Sequence, residues 1–327
     1  MRAKTRRGTA LAMIIAAAVA AAPGGARAGQ AVTYLLPAPI FLPAFGPWML
    51  ALQRGYYTAE GLDVTFEVGK GGADVAKQVG VGNAAIGGAL GDTPIIVRAN
   101  GVPVRSVALL GGKGLMQLVL HADSPIKTPA DLRGKIVTVS AYQETTYYAL
   151  LGMLAKDGLT KNDVNIQAAG AVNIWKLFLA GQADAMAAVP DWIVDVRRAG
   201  AQIRVIPSSE YFQSMAQAVL ASDALIRDNP ELIRRLVRAT LRGMKDIMDD
   251  PRGAAGDYVK AVPQRAGQDE QMSEVFQLYN EYVYPGQRRL GEMDEARLAA
   301  LQEFYFKQGI VERTTPIADL YTNQFIE

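Results

Sequence analysis

The sequence predicts an α/β fold of about two domains, each a mostly parallel sheet with helices on both faces. Three observations carry this. A short apolar strand ending in a Gly-rich or polar loop that opens a helix recurs along the chain, and parallel strands need such helical crossovers. The chain has 327 residues, 50% of them apolar and 20% charged, enough for a large core and more than one domain of usual size. Two breaks, Ser124-Pro125 and Pro207-Ser208-Ser209, interrupt the alternation, and the strand–loop–helix device lies on both sides of them.

Residues 1–28 stand apart. Arg2, Lys4, Arg6 and Arg7 precede an apolar run over 11–22, and Ala26-Arg27-Ala28 offers small residues for cleavage. That is the pattern of a secretory signal peptide, and the apolar run is too short to span a bilayer. Cleavage after Ala28 leaves 299 residues and removes five basic residues and no acidic one, so the net charge moves from +2 to −3. The basic excess belongs to the export signal, and no case for nucleic acid or an anionic membrane surface remains. There is no Cys, which excludes disulfides, thiolate metal sites, Cys nucleophiles and a lipid-anchored N-terminal Cys. The expected place is therefore free in a bacterial periplasm. The single His, His121, cannot build a multi-His metal site and reads as an ordinary polar residue near a domain edge. Neither a metal nor a cofactor is expected.

The elements follow in order. Residues 31–36 form a strand, and Pro37, Pro39 and Pro43 hold the next stretch extended because proline fixes φ and lacks a donor. Gly46-Pro47 opens a helix carrying Trp48, Leu50 and Leu52. After a turn over 55–63, the device appears twice: strand 64–68, the loop Gly69-Lys70-Gly71-Gly72 and a helix from Asp74, then strand 84–88, the loop Leu90-Gly91-Asp92-Thr93 and a helix with Pro94 in its first turn. Asp92 or Thr93 is placed to cap that helix. Free amides at two such helix starts would floor a ligand cleft. Residues 102–110 and 115–121 read as strands, as do 136–139, 164–168, 184–189, 203–206 and 215–221. Between them lie a polar helix start over 140–146, an amphipathic helix to 156, a helix over 174–180, and a helix opened by Pro190-Asp191-Trp192. Beyond 221 the chain is nearly all helix, starting at the cap Asn229-Pro230-Glu231, with Leu232, Ile233, Leu236, Val237, Leu241, Met244 and Met248 at helical spacing. A last helix spans 294–308.

Four segments resemble a known family. Gly55-Tyr56-Tyr57 with Glu60-Gly61-Leu62-Asp63-Val64, Ser124-Pro125-Ile126 with Asp131-Leu132-Arg133-Gly134-Lys135, Gly181-Gln182-Ala183-Asp184-Ala185, and Asn229-Pro230-Glu231 resemble, in order and spacing, the periplasmic substrate-binding proteins of nitrate, sulfonate, taurine and thiamine-precursor ABC importers. The resemblance covers essentially all of the mature chain. It implies the type II two-lobe fold, with the cleft between lobe one (29–122 and 212–327) and lobe two (123–211). It also implies closure by hinge bending and delivery of a small ligand to an ABC permease and its ATPase, by a protein expected to be a monomer. Enzymes making the thiamine pyrimidine resemble the chain too, but they carry a Cys-rich motif and use a protein His with a pyridoxal cofactor. A sensory binding domain is a third reading, weakened because no signalling domain is fused.

Side chains at helix starts are the candidate ligand contacts. In lobe one these are Phe41, Phe45, Trp48, Gly71, Gly72, Asp92 and Thr93; in lobe two they are Tyr142, Gln143, Thr145, Thr146, Asn173, Trp175, Asp191 and Trp192. All three Trp residues fall at or just after expected strand-to-helix loops, where aromatic walls suit a planar ligand. Simple oxyanions call for Arg, Lys and amides, whereas these loops hold Asp74, Asp92, Glu144 and Asp191 with Lys70 the one obvious base. Acceptors among aromatics suit a ring bearing amino groups, such as an aminopyrimidine. A sulfonate, nitrate or aromatic acid is the alternative ligand.

Overall fold

The computed structural model describes residues 29–142 and 144–327, so the signal-peptide segment 1–28 and the candidate Gln143 lie outside the described residues. Ten strands follow in chain order: β1 (Gln30–Leu36), β2 (Leu62–Val68), β3 (Ile86–Leu90), β4 (Val104–Leu109), β5 (Gln117–His121), β6 (Ile136–Val139), β7 (Asn165–Ala168), β8 (Ala185–Ala188), β9 (Ile203–Pro207) and β10 (Gln217–Ser222). They form two five-stranded sheets, ordered β2-β1-β3-β10-β4 and β7-β6-β8-β5-β9. The second sheet repeats the first position for position, so β3 and β8 hold equivalent central places. The two halves of the molecule built on these sheets are lobe one and lobe two. The central strands are short apolar runs, as burial on both faces demands: every residue of β8 and of β10 is buried.

Within each sheet four strands share one direction and the fifth runs against them. β10 is antiparallel to β3 and β4, and β5 is antiparallel to β8 and β9. The reversed strands are the two that arrive from the opposite lobe. Parallel strands end at the cleft, so a chain that leaves β4 at Leu109 and crosses directly must enter the second sheet from its cleft end. The return from β9 to β10 obeys the same geometry. The crossing corrects the expected boundary at 122/123. Gln117–His121, assigned by sequence to lobe one, pairs with β8 and β9, and the chain changes lobes between Leu109 and Gln117. His121 sits at the end of that strand, stacked on Phe178 at 4.0 Å with its Nε2 3.1 Å from the Phe178 carbonyl oxygen.

The C-terminal helices complete lobe one. Asn229 caps Pro230–Asp249 by accepting from the Leu232 amide at 3.2 Å, and Asp294 caps Glu295–Lys307 through the Arg297 amide at 3.0 Å. The apolar stripe of Pro230–Asp249 is buried against Gly46–Gln53. Gly243 sits where those two helices touch: a Cβ there would lie 2.1 Å from the Pro47 carbonyl oxygen. Among the described residues no helix is long and apolar enough to cross a membrane.

Candidate functional site

Loops at the carboxyl ends of the parallel strands face one another across the lobes, and two buried acids occupy equivalent positions there. Asp92 follows β3 and Asp191 follows β8. Asp92 does not cap its helix in the way the sequence predicts. Asp92 precedes Thr93–Arg98 but makes no capping bond, and Asp191 lies inside the first turn of Pro190–Arg198. Each carboxylate turns instead to a tyrosine of the C-terminal helices.

Asp92 is 1% exposed, and its Oδ2 accepts from Tyr305 Oη at 2.5 Å. Its Oδ1 has no partner. Burial pushes its pKa up to about 6, against the pull of the Tyr305 bond and of the Arg297 charge. Arg297 donates from Nε to the Gln213 carbonyl at 3.0 Å and from Nη1 to the Gly112 carbonyl at 2.6 Å. One guanidinium thus holds both crossings between the lobes. Burial lowers its pKa to about 10, and its Nη2 is unpartnered.

Asp191 is buried, and its Oδ1 accepts from Tyr279 Oη at 3.1 Å. Burial pushes its pKa up to about 6, with Tyr279 pulling down and Asp195 pushing up. Tyr279 lies in Asp269–Tyr282 of lobe one, so this bond joins the lobes. Two further contacts join the same helices: Gln271 Nε2 to Asp195 at 2.9 Å, and Arg198 to Glu274 at 2.7 Å. Across the cleft mouth, a Cβ on Gly71 would stand 3.5 Å from Glu144 Oε1, and the φ of +89° at Gly71 favours glycine on its own account. Burial raises the pKa of Glu144, while the bond from Ser140 lowers it. Gly72 is close-packed too: a Cβ there would meet Ala89 at 3.2 Å and Thr93 Oγ1 at 3.5 Å.

The other candidates fall into two groups. Thr93 and Thr146 are buried at the starts of their helices, Thr93 in lobe one and Thr146 in lobe two, and Thr145 begins Thr145–Lys156. Phe41 is exposed, and its carbonyl takes bonds from Tyr258 and Arg265. Phe45 and Trp48 are packed edge to face at 5.9 Å, and Trp48 is completely buried against Tyr34 in the core of lobe one. Asn173 and Trp175 lie within Gly170–Leu179 and not at its start, because that helix begins four residues earlier than the sequence predicts. Asn173 is exposed, and Trp175 and Trp192 are half-buried. Tyr142 is exposed and donates to the Ile166 carbonyl at 2.9 Å. It opens a ring series, Tyr142–Tyr147–Tyr148–Tyr305, that runs from the surface across the lobes to Asp92. A groove of about 390 Å³ lies beside it, walled by Tyr142, Tyr147 and Tyr148 and closed by Gln308 and Ile310 of lobe one.

Sequence reasoning missed Tyr279, Arg297 and Tyr305, which sit in helices far along the chain with no local motif, and Tyr284, two residues past the end of Asp269–Tyr282. It also missed Ser208 and Ser214, though the break at Pro207-Ser208-Ser209 marks their crossing. Among the described residues, ten buried side-chain polar atoms lack a partner. Six of these belong to residues at the crossings or where the lobes meet: Asp92, Thr146, Ser208, Ser214, Tyr284 and Arg297.

The family model described as "NMT1/THI5 like" matches residues 42–254, and the chain belongs to that family. The chain is 26% identical over 291 residues to the riboflavin-binding protein RibY of Chloroflexus aurantiacus, covering 86% of this chain and 82% of that protein. It is 23% identical over 242 residues to the 4-amino-5-hydroxymethyl-2-methylpyrimidine phosphate synthase of Aspergillus parasiticus, covering 68% of each. Among solved structures, the periplasmic aliphatic sulphonate binding protein SsuA from Escherichia coli superposes with a TM-score of 0.70 at 16% identity, covering 91% of this chain and 94% of that one. The two lobes have the periplasmic-binding-protein fold. Binding proteins and synthases thus both stand among its relatives.

Proposed function

We propose that the chain is the periplasmic solute-binding component of an ABC importer. It captures a small planar nitrogen heterocycle between its lobes, a thiamine-precursor pyrimidine or a flavin-like ring, and presents it to a membrane permease. The observation that carries this is that six residues at the crossings or where the lobes meet each hold a buried polar atom without a partner. Buried polar groups without partners are costly, and a ligand that satisfies them from both lobes is rewarded with closure. Charge favours a ligand bearing donors over an oxyanion: Asp92, Glu144, Asp191 and Asp195 stand at the seam, Arg265 and Arg297 there are engaged with backbone carbonyls, and Arg198 is paired with Glu274. The named ligand of RibY and the named product of the synthase are both nitrogen heterocycles.

The synthase reading is weaker on this chain. The protein has no Cys, and its one His is stacked on Phe178 at the end of β5. Thermal-shift screening against aminopyrimidines, riboflavin, alkanesulfonates, nitrate and aromatic acids tests the reading. The expected hit is a nitrogen heterocycle, recovered chemically unchanged after long incubation. Selective stabilisation by a sulfonate, or conversion of the bound heterocycle, would overturn it. Export is tested by N-terminal sequencing of protein from a Gram-negative host, with a mature start near Gly29 expected and an intact Met1 chain refuting it.

A further inference from the structure

A narrow crevice lies where the inner faces of both crossings meet the two lobes. Its walls are Leu90, Leu115, Met116, Ala149 and Met215, and its polar members are Asp92, Thr146 and Ser214. All three polar side chains are at least nine-tenths buried, and Asp92 Oδ1, Thr146 Oγ1 and Ser214 Oγ have no hydrogen-bond partner. The crevice has no room for a water molecule, so solvent cannot satisfy them. Asp92 Oδ2 is already taken by Tyr305, which fixes the carboxylate and leaves its other oxygen as a pure acceptor. Thr146 arrives from the first turn of a lobe-two helix, whereas Asp92 belongs to lobe one, so the crevice widens whenever the lobes part. Whatever fills it on closure touches both lobes at once.

We propose that Asp92, Thr146 and Ser214 form the subsite that reads the donor edge of the ligand: an exocyclic amino group on a nitrogen heterocycle, donated to Asp92 Oδ1 and flanked by the two hydroxyls. The proposal rests on the reading of the chain as a binder of planar nitrogen heterocycles and narrows it to those bearing an exocyclic amino group, which a flavin ring lacks. A carboxylate oxygen in an apolar crevice accepts an N–H and repels the lone pairs of a carbonyl, sulfonate or carboxylate placed against it. The hydroxyls can donate or accept, so they complete the bonds of an amino group and of an adjacent ring nitrogen. The Arg297 charge draws on the same carboxylate and favours its ionised, accepting form. In the widened crevice a methyl group of the same size would meet the same walls but leave Oδ1 unpaired, and unpaired buried acceptors discriminate strongly between isosteres.

The test is calorimetric titration of the full mature protein with two pyrimidines of one shape: 4-amino-5-hydroxymethyl-2-methylpyrimidine, and the analogue with methyl in place of the amino group. Wild type should prefer the amino compound at least tenfold. Asp92→Asn, which can present its amide nitrogen to the crevice, should cut that preference below threefold. Thr146→Val, which keeps the shape and removes one hydroxyl, should reduce it in the same direction and serves as the check if Asp92→Asn fails to fold. Equal binding of both compounds to wild type overturns the subsite and leaves the planar-ligand reading standing. So does a preference that survives in the folded variants. Failure of wild type to bind either compound, with a sulfonate binding instead, overturns both.

Discussion

The bond from Tyr279 to Asp191 is the contact most open to test, because it joins the lobes and involves a buried acid. Burial holds Asp191 at a pKa of about 6, against an ordinary carboxyl value of 3.8. The native state therefore binds more protons than the unfolded chain between those two values. The sign follows: the contribution of a group with a raised native pKa is fully present below about pH 4 and is lost as pH rises through 6. At 1.36 kcal/mol per pKa unit, the loss by pH 7 is about 3 kcal/mol. Asp191→Asn removes this pH dependence, and other acids act alike in both proteins. Several of those are held low by ion pairs, Glu292 at about 2 beside Arg288, and pull stability the opposite way. Comparing variant with wild type cancels them. The stability of Asp191→Asn relative to wild type should rise by about 2–3 kcal/mol between pH 4 and pH 7, read by urea denaturation at each pH. Tyr279→Phe should act in the other direction at pH 7. It removes a hydrogen bond to a charged group, worth about 1.5–3 kcal/mol, and leaves the carboxylate buried without its donor. Because the bond crosses the lobes, the loss falls on the closed form, and solution scattering should show a larger radius of gyration. A stability difference between Asp191→Asn and wild type that does not change with pH would refute the buried-acid argument. An unaltered scattering curve for Tyr279→Phe would refute the latch.

Two further outcomes concern the scaffold around the site. Gly243→Ala should destabilise the protein by about 1–3 kcal/mol in denaturation, because its methyl would stand 2.1 Å from the Pro47 carbonyl oxygen, a backbone atom that cannot rotate away. Arg297→Met should lower the melting temperature and speed hydrogen exchange at residues 110–116 and 208–216, since both crossings lose the guanidinium that bonds the Gly112 and Gln213 carbonyls.

Much of the fold was legible because its signals are local. The Gly-rich loops, first-turn prolines and caps such as Asn229 act within a few residues of themselves, and short apolar runs mark buried strands. Element ends were less legible. Strand β3 runs to Leu90 and not to Gly88, and Gly170–Leu179 begins at a glycine with a φ of +73°, four residues before the expected start at Ile174. The reversal of β5 and β10 left no local mark, because strand direction depends on which sheet receives the chain. The site was legible on one side only. The strand-to-helix loops gave Asp92, Thr146 and Asp191, but the tyrosines that bond the two aspartates lie 213 and 88 residues away in sequence. Nothing in a helix stripe distinguishes a tyrosine that packs from one whose hydroxyl reaches a carboxylate. Trp48 shows the opposite case: its position after a loop suggests exposure to the cleft, yet its apolar area is wholly absorbed by the core of lobe one.

The equivalence of Asp92 and Asp191 makes their difference informative. Both follow the central strand of their sheet, both are buried, and both bond a tyrosine of the C-terminal helices of lobe one. For Asp92 that tyrosine belongs to its own lobe, so the bond persists whether the lobes are open or closed, and Oδ1 stays unpartnered. For Asp191 the tyrosine is across the seam, so the bond forms only as the lobes meet. On the function proposed above, one geometry placed twice by a repeated sheet would divide into two tasks: an acceptor preorganised for a ligand, and a contact made on closure. The division follows from a single asymmetry. All the C-terminal helices belong to lobe one, so a tyrosine from them steadies the acid of that lobe and latches the acid of the other.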